Sequence, residues 1–294
     1  MITKSLLLSF AAMIWGAGFI ATKWTFADYG AYWSNSLRFI FATILITPFL
    51  IYKFKKRKLS FYKWPFITGL VLYLSMQTQT IGLETTTAAK SGFITTFYAF
   101  FTPMTLMILH KYRYQKAFWL LLFKSLFGVA LLCDLSFDKI TIGDVWTLAC
   151  ALFFSFHILI TDRIANNYHP IEFNGLQNLF VALISIPFAF YFEGVPKLPV
   201  MNFETLTTAS SFSGFIILAL FSSNIAFSIQ VYAQKTIPAH VVGLIFLLES
   251  LFATLFGYLF LNEAVTILNL IGCFLILTSL VLIPKYGKLT NRPT

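Results

Sequence analysis

Ten apolar runs of about twenty residues each dominate this 294-residue chain and constrain its fold more than any other feature. An α-helix needs ~20 mostly apolar residues to cross the hydrocarbon core of a bilayer. The runs are too long and too uniformly apolar for the roughly ten-residue alternating strands of a membrane β-barrel. We therefore predict an all-α polytopic membrane protein with ten transmembrane helices, at residues 5–23, 33–52, 64–82, 88–109, 117–133, 144–162, 172–192, 212–234, 240–261 and 266–284.

The composition is that of a lipid-embedded chain. Only 11% of the residues are charged, against ~25% in soluble domains. The first run is longer than the apolar core of a signal peptide and contains Trp15 and Lys23, so we interpret it as an uncleaved first span. Cys133, Cys150 and Cys273 all lie in apolar runs, where we expect buried thiols rather than a disulfide or metal framework.

The distribution of charge predicts the orientation of the chain. With ten spans, successive connections alternate between the two sides of the membrane. One side receives fifteen of the 21 Lys and Arg residues, and the other receives four of them with eight of the 11 Asp and Glu residues. The positive-inside rule makes the basic side cytoplasmic, so we predict that both termini are cytoplasmic. The basic residues of the cytoplasmic side account for the net charge of +10. Because membrane topology explains this charge, we expect no nucleic-acid partner.

The chain also resembles itself across its two halves. Residues 87–93 resemble residues 237–244, at an offset of about 150 residues. Five spans in each half would force the halves into opposite orientations, which is the inverted-repeat plan of many secondary transporters. We predict one five-helix repeat at 1–138 and a second at 139–294, with a binding site near the midplane between them.

Several classes of function lack their motifs here. The sequence has no G-x-x-x-x-G-K-[ST] or G-x-G-x-x-G phosphate loop, no H-E-x-x-H zinc motif and no G-x-S-x-G nucleophile elbow. We therefore expect no catalytic residues, no cofactor and no metal site. A membrane enzyme acting on lipid or lipid-linked sugar and a non-transporting scaffold are the alternatives from other classes.

Three charged residues are predicted to lie well inside spans: Arg38, Lys124 and Glu249. A charge in hydrocarbon costs ~2.5–3.5 kcal/mol even on lenient scales, so it needs a partner or a wet cavity. Near the midplane, Glu249 could carry a proton or bind an amine. Arg38 differs from it in depth by only ~8 Å, which leaves open a structural ion pair and a clamp for a substrate carboxylate. Lys124 can extend to the cytoplasmic surface, and we leave it out of the site.

Polar side chains concentrate in runs three, four, seven and eight. In lipid such groups either join helices, at ~0.6 kcal/mol each, or line a cavity. Their concentration in four runs favours a shared wet cavity. Trp15 is deeper than an interfacial tryptophan, so it either packs between helices or forms a cavity wall. The polar residues are Ser75, Gln77, Thr78, Gln79, Thr95, Thr96, Tyr98, Asn174, Gln177, Asn178, Ser222, Ser223, Asn224, Gln230 and Gln234.

The chain resembles the drug/metabolite transporter superfamily, of the EamA-like type, over nearly its whole length. The residues that carry this resemblance are Trp15-Gly16, Phe19, Lys23, Arg38-Phe39, Gly82-Leu83, Thr86-Thr87-Ala88, Gly92-Phe93, Pro103, Glu249, Leu261-Asn262-Glu263, Gly272 and Ser279. The resemblance implies two inverted five-helix repeats, with spans five and ten peripheral to a central cavity. It also implies secondary transport, commonly export of amino acids, related metabolites or toxic compounds.

We therefore predict a secondary transporter of the bacterial inner membrane that exports amino acids or related compounds by alternating access. A multidrug or nucleoside-type transporter of the same fold is the alternative. The expected partners are a small-molecule substrate, membrane lipid and protons as coupling ion, with the protein a monomer or homodimer. The candidate substrate-binding residues are Trp15, Phe19, Arg38, Gln77, Gln79, Lys90, Tyr98, Asn178, Asn224 and Glu249.

Overall fold

The fold is nearly all helical. The computed structural model describes residues 2–53, 58–132, 140–197, 199–261, 266–286 and 289–291. Its helices are α1 (Ile2–Thr25), α2 (Ala31–Lys53), α3 (Leu59–Thr85), α4 (Ala88–Thr95), α5 (Tyr98–His110), α6 (Lys116–Leu132), α7 (Ile142–Ile164), α8 (Pro170–Glu193), α9 (Phe203–Thr207), α10 (Ser211–Ile216), α11 (Phe227–Gln234), α12 (Ala239–Ile245), α13 (Leu248–Leu261) and α14 (Ile267–Tyr286). A 3₁₀ turn covers Ala165–Asn167, and two short strands, β1 (Arg113–Tyr114) and β2 (Leu289–Asn291), pair antiparallel. The predicted repeat boundary at 138/139, Cys133, the basic residues 55–57 and Glu263 lie outside the described residues.

Seven helical segments of the described chain are long and apolar enough to cross a membrane. They are Ile2–Thr25, Ala31–Tyr52, Ala88–Leu109, Ile142–Asn167, Pro170–Glu193, Ser211–Gln234 and Ala239–Phe256. The other three predicted runs correspond to α3, α6 and α14. Of these, α3 carries a row of Gln and Thr side chains, α6 has 17 residues, and the apolar part of α14 is Ile267–Leu282. The count of ten spans and the orientation of the termini stay predictions.

Two of the predicted spans are broken in their middle. The fourth run divides into α4 and α5 at Thr96-Phe97, and the ninth divides into α12 and α13 at Phe246-Leu247. At both breaks the hydrogen bonds shorten to the i→i−3 type, as in Phe97 N to Ile94 O and Leu247 N to Leu244 O, both 3.1 Å. The breaks lie about 150 residues apart, at the offset that the sequence repeat predicts.

The eighth run contains a different irregularity. Residues Ile217–Ala226 form a π-helix between α10 and α11. Such wide turns are rare and occur frequently at functional sites. This π-helix contains three consecutive polar residues, Ser222, Ser223 and Asn224. They lie where α1, α2 and α8 pack against the π-helix.

Helix packing encloses a polar centre. α1 packs against α13 and the π-helix, α2 against α8, and α3 against α7 and α8. α6 packs mainly along α14, where Gly128 and Gly272 allow the two backbones to touch. Lys124 belongs to that pair, since its Nζ donates to Thr278 Oγ1 at 2.8 Å.

One end of the bundle, which we call the acidic end, is formed by residues 26–30, 84–90, 140–144, 193–197 and 199–211. Carboxylates from two helices cap the start of α2 there: Glu84 accepts from Ala31 N, and Glu193 accepts from the backbone N–H groups of Tyr32 and Trp33. Burial and the Asp28 carboxylate raise the pKa of Tyr29 to about 12. Its hydroxyl therefore stays neutral at physiological pH and donates to the carbonyl of Lys197.

Candidate functional site

Arg38 is a buried cation held by neutral groups. Its Nη2 donates to Ser222 Oγ at 2.7 Å and its Nε to Ser223 Oγ at 2.8 Å, and both serines lie in the π-helix. A guanidinium carries five N–H donors in a fixed fork. No acceptor for Nη1 exists among the described residues, although the side chain is only 6% exposed. Part of the guanidinium thus faces the interior cavity unsatisfied by protein.

Glu249 is a buried acid in the first turn of α13, directly after the helix break. Tyr98, directly after the other break, donates its hydroxyl to Glu249 Oε2 at 3.3 Å. Within the described residues, Oε1 accepts no hydrogen bond. The sequence left open whether Arg38 pairs with Glu249. In the described structure the two form no ion pair: Arg38 donates to two serine hydroxyls, and Glu249 accepts from the Tyr98 hydroxyl.

Arg38 and Glu249 line one small cavity between the two halves. Its volume is about 30 Å³, and a water needs about 10–15 Å³ of such space. In this conformation the cavity therefore has room for about two waters. Its lining is Trp15, Gly18, Phe19, Thr22, Arg38, Met76, Gln79, Thr95, Phe154, Ser222, Phe227 and Glu249.

Aromatic rings form one side of this cavity around Trp15. The Trp15 ring centroid lies 4.7 Å from that of Phe246, 5.0 Å from Phe227 and 5.9 Å from Phe154. Its indole N–H is aimed at Ser222 O at 3.4 Å. The contacts with Phe154 and Phe246 are edge-to-face and that with Phe227 is tilted, and together they fix the ring position. The apolar wall and the polar wall therefore meet at the π-helix.

Gly16 brings α1 against the Glu249 turn. A Cβ atom at this position would lie 2.8 Å from both Glu249 O and Ala253 N. Only a residue without a side chain lets the two helices approach so closely. The Trp15-Gly16 pair therefore places the indole and the carboxylate beside the same cavity.

The structure brings most of the predicted site residues together. Trp15, Phe19, Arg38, Gln79 and Glu249 line the cavity. Tyr98 joins them through its hydrogen bond to Glu249, and Gln79 donates to Thr95 Oγ1 at 3.3 Å.

The other four predicted residues are engaged away from the cavity. Gln77 accepts from Asn35 Nδ2 at 3.0 Å, because it lies on a different face of α3 from Gln79. Lys90 forms an ion pair with Asp144 at 2.6 Å at the acidic end. Asn178 and Asn224 bond to each other at 3.0 Å and stabilise the π-helix, with Asn224 also donating to Ala42 O.

Several residues of the site were not in the predicted set. Ser222 and Ser223 belong to a polar cluster that the sequence displays, but nothing in the sequence shows that they hold Arg38. Phe154 and Phe227 give no signal, because they are two of 35 Phe residues. A buried chain runs outward from the π-helix: Asn174 donates to Ser223 O, Gln177 donates to Asn174, and Gln177 Oε1 lies 2.8 Å from His157 Nε2.

Comparison with known proteins identifies the family. The model of the EamA-like transporter family matches residues 3–133 and again 141–284. An uncharacterized transporter of Archaeoglobus fulgidus is 28% identical over 279 residues, which cover 94% of this chain and 84% of the relative. A solved structure described only as the crystal structure of a protein superposes with a TM-score of 0.73 over 96% of both chains, at 16% identity, and shows the fold alone. The chain therefore belongs to the EamA-like transporter family of the drug/metabolite transporter superfamily, and it is a multi-pass membrane transporter.

Proposed function

We propose that this transporter moves small zwitterionic metabolites, amino acids or related compounds, through the cavity between its two halves. The observation that carries the proposal is that the Arg38 guanidinium and the Glu249 carboxyl group line one cavity without forming an ion pair with each other. Arg38 presents Nη1 and Glu249 presents Oε1, and no described side chain satisfies either atom. A substrate with one carboxylate and one ammonium group would satisfy both.

The energetics favour a charged substrate over water. A hydrogen bond to a charged group contributes ~1.5–3 kcal/mol when its partner is well placed. A carboxylate can meet the guanidinium fork in a bidentate geometry, which is the strongest form of this contact. The rings of Trp15, Phe154 and Phe227 would then contact the apolar part of the substrate.

The cavity must widen for this to happen. Ligand pockets usually enclose ~300–1,000 Å³, and the present volume is about 30 Å³. The broken helices border this site, as discontinuous helices do in transporters of the inverted-repeat plan, and one repeat would widen the cavity by rocking against the other. Alternating access is therefore part of the proposal, with the repeats 1–138 and 139–294 as the moving halves.

Direction, coupling and location complete the proposal. Export across a bacterial inner membrane is what the family resemblance implies, and the buried position of Glu249 at the cavity supports this acid as the carrier of a coupling proton. Membrane lipid and the small-molecule substrate are the proposed partners, and the protein acts as a monomer or homodimer.

The direct experiment is counterflow of a labelled amino acid in proteoliposomes. Unlabelled competitors would be the free amino acid, its methyl ester and its N-acetyl derivative, which remove one charge at a time. We expect the free amino acid to compete at least tenfold better than either derivative. Equal competition by the methyl ester would show that Arg38 does not bind a substrate carboxylate, and it would contradict the zwitterion proposal.

A matched pair of variants separates the site from general damage. Arg38→Gln should abolish this tenfold preference for the free acid over the ester. Lys124→Gln removes an intramembrane cation at the α6–α14 contact, and it should leave the preference intact.

Competition by quaternary amines or nucleosides, but not by amino acids, would favour the multidrug or nucleoside alternative.

A further inference from the structure

The long connection between α8 and α10 is held by hydrogen bonds at both of its ends. Trp33 Nε1 donates to Gly194 O at 2.8 Å and Tyr29 donates to Lys197 O at 2.7 Å, which fixes its beginning. Asn202 caps the short helix α9 through Thr205 N at 2.8 Å. Ser213 Oγ donates to Thr208 O at 2.7 Å, which fixes its end.

Large apolar side chains project outward from this connection. Val195 and Phe203 are 84% and 80% exposed, and Met201 and Leu206 are also exposed. Phe203 and Leu206 are three residues apart in α9, so they share one face. Because the backbone is fixed by hydrogen bonds, these side chains cannot turn inward to a core.

Part of the connection lines a pocket. Together with the turn between α1 and α2 and the start of α10 it surrounds a space of about 510 Å³ at the acidic end. Lys197, Thr205 and Ser210 line this pocket opposite Asp28 and Tyr29. Pro199 and Val200 also line it, whereas Val195, Met201, Phe203 and Leu206 do not.

The exposed apolar side chains of the connection continue a surface that meets lipid. α8 is one of the seven candidate spans, and its last turns expose Phe190, Tyr191 and Phe192. Aromatic residues at the end of a span typically lie at the membrane–water interface. Val195 follows only three residues after Phe192, so the exposed apolar positions extend that aromatic band along the loop.

We propose that residues 195–197 and 199–206 lie in the interfacial region of the bilayer, with Val195, Met201, Phe203 and Leu206 inserted among the lipids. A short segment that exposes apolar side chains between polar ones binds at the headgroup boundary rather than across the membrane. The bilayer thus holds the outer wall of the acidic-end pocket in place. This inference depends on the multi-pass architecture and not on the proposed substrate.

Spin-label accessibility in liposomes tests the proposal. A nitroxide would be attached at Phe203→Cys, Leu206→Cys or Ala209→Cys in a chain whose native cysteines are replaced by alanine. Ala209 is an exposed small residue just beyond α9 and serves as the matched control. We expect collisions with oxygen to exceed collisions with a water-soluble nickel complex at 203 and 206, and the reverse at 209.

Two results would overturn the proposal. Nickel accessibility at 203 equal to that at 209 would place Phe203 in water. Protection of 203 from both reagents would mean that protein covers it, such as a second copy of the chain.

If the cysteine-free chain does not fold, photocrosslinking from benzoylphenylalanine at 203 in the native chain tests the same point. Photolysis should then yield lipid adducts at 203 and not at 209, and their absence at 203 would equally refute the inference.

Discussion

At the scale of single residues, Arg38 and Glu249 are costly unless something stabilises their charge. Burial of an ion without compensation costs several kcal/mol even after relaxation. Two serine hydroxyls stabilise Arg38 and one tyrosine hydroxyl stabilises Glu249. Each charge keeps polar atoms that face the cavity, so the protein supplies only part of the compensation.

The double variant Ser222→Ala, Ser223→Ala should weaken substrate binding. Loss of both acceptors would let the guanidinium leave its position and would leave its donors unsatisfied. At ~1.5–3 kcal/mol for a hydrogen bond to a charged group, we expect at least a tenfold loss of affinity, measured by ligand-induced thermal shift. Ser185→Ala removes a buried serine that bonds to its own helix. An equal affinity loss in this control would refute a specific role for the pair.

Glu249→Gln should leave the chain folded and stop transport driven by a pH gradient. Glutamine preserves the shape and can still accept from Tyr98, but it cannot carry a proton. The measurement is substrate flux in proteoliposomes with and without an imposed gradient. Tyr98→Phe is the companion variant, and it should retain gradient-driven flux at a reduced rate. Undiminished gradient-driven flux in Glu249→Gln would exclude this residue as the proton carrier.

At the scale of helices, irregular elements position the site. The two breaks place Tyr98 and Glu249 in the first turns of α5 and α13, and the π-helix places Ser222 and Ser223 beside Arg38. Broken or widened turns are tolerated at membrane depth when they are buried in protein or line a cavity. These elements meet because α1 packs closely against both α13 and the π-helix.

Gly16→Ala should destabilise the contact between α1 and α13. The added methyl would lie 2.8 Å from two backbone atoms, and overpacking of this kind costs typically ~1–3 kcal/mol. Thermal unfolding in detergent would detect this as a lower midpoint. Gly18→Ala is the control, because its methyl would lie 3.8 Å from the nearest atom, Leu218 Cδ2. Equal midpoints for the two variants would contradict the close approach.

At the scale of the whole molecule, contacts at the acidic end join the two halves. Lys90 on α4 pairs with Asp144 on α7 at 2.6 Å. Asp144 also accepts from Thr86 at 2.7 Å, and Lys23 on α1 donates to Thr86 O and to Leu83 O. These contacts hold α1, α3, α4 and α7 together at the acidic end, and we expect them to favour a closed state of that end.

The Lys90→Gln variant should increase the fraction of molecules in which the acidic end is open. A partly buried ion pair contributes on the order of 1 kcal/mol, so we expect about a fivefold rise in the open population. A cysteine at Thr22, which lines the cavity, would report this through faster reaction with an impermeant maleimide from the acidic end. The Lys124→Gln variant should react at the parent rate. No acceleration in Lys90→Gln would show that this ion pair does not close the end.

Much of the architecture follows from local sequence alone. The length of the apolar runs predicts that the chain spans a bilayer. Every backbone polar group in hydrocarbon must be hydrogen-bonded within the protein, so these uniformly apolar spans are helices. Arg38 and Glu249 stood out for the same reason, since an intramembrane charge is too costly to be incidental. Trp15, Phe19 and Gln79 were also named, and all three line the cavity.

Only the tertiary structure decided how these residues combine. Sequence could not separate Gln77 from Gln79, because which face of α3 meets the cavity depends on its neighbours. Nor could it show that Arg38 bonds to Ser222 and Ser223 rather than to Glu249, because those contacts span more than 180 residues of chain. The hydrophobicity of each helix can be read from its own stretch of sequence. The cavity arises from the packing of several helices, which local sequence does not encode.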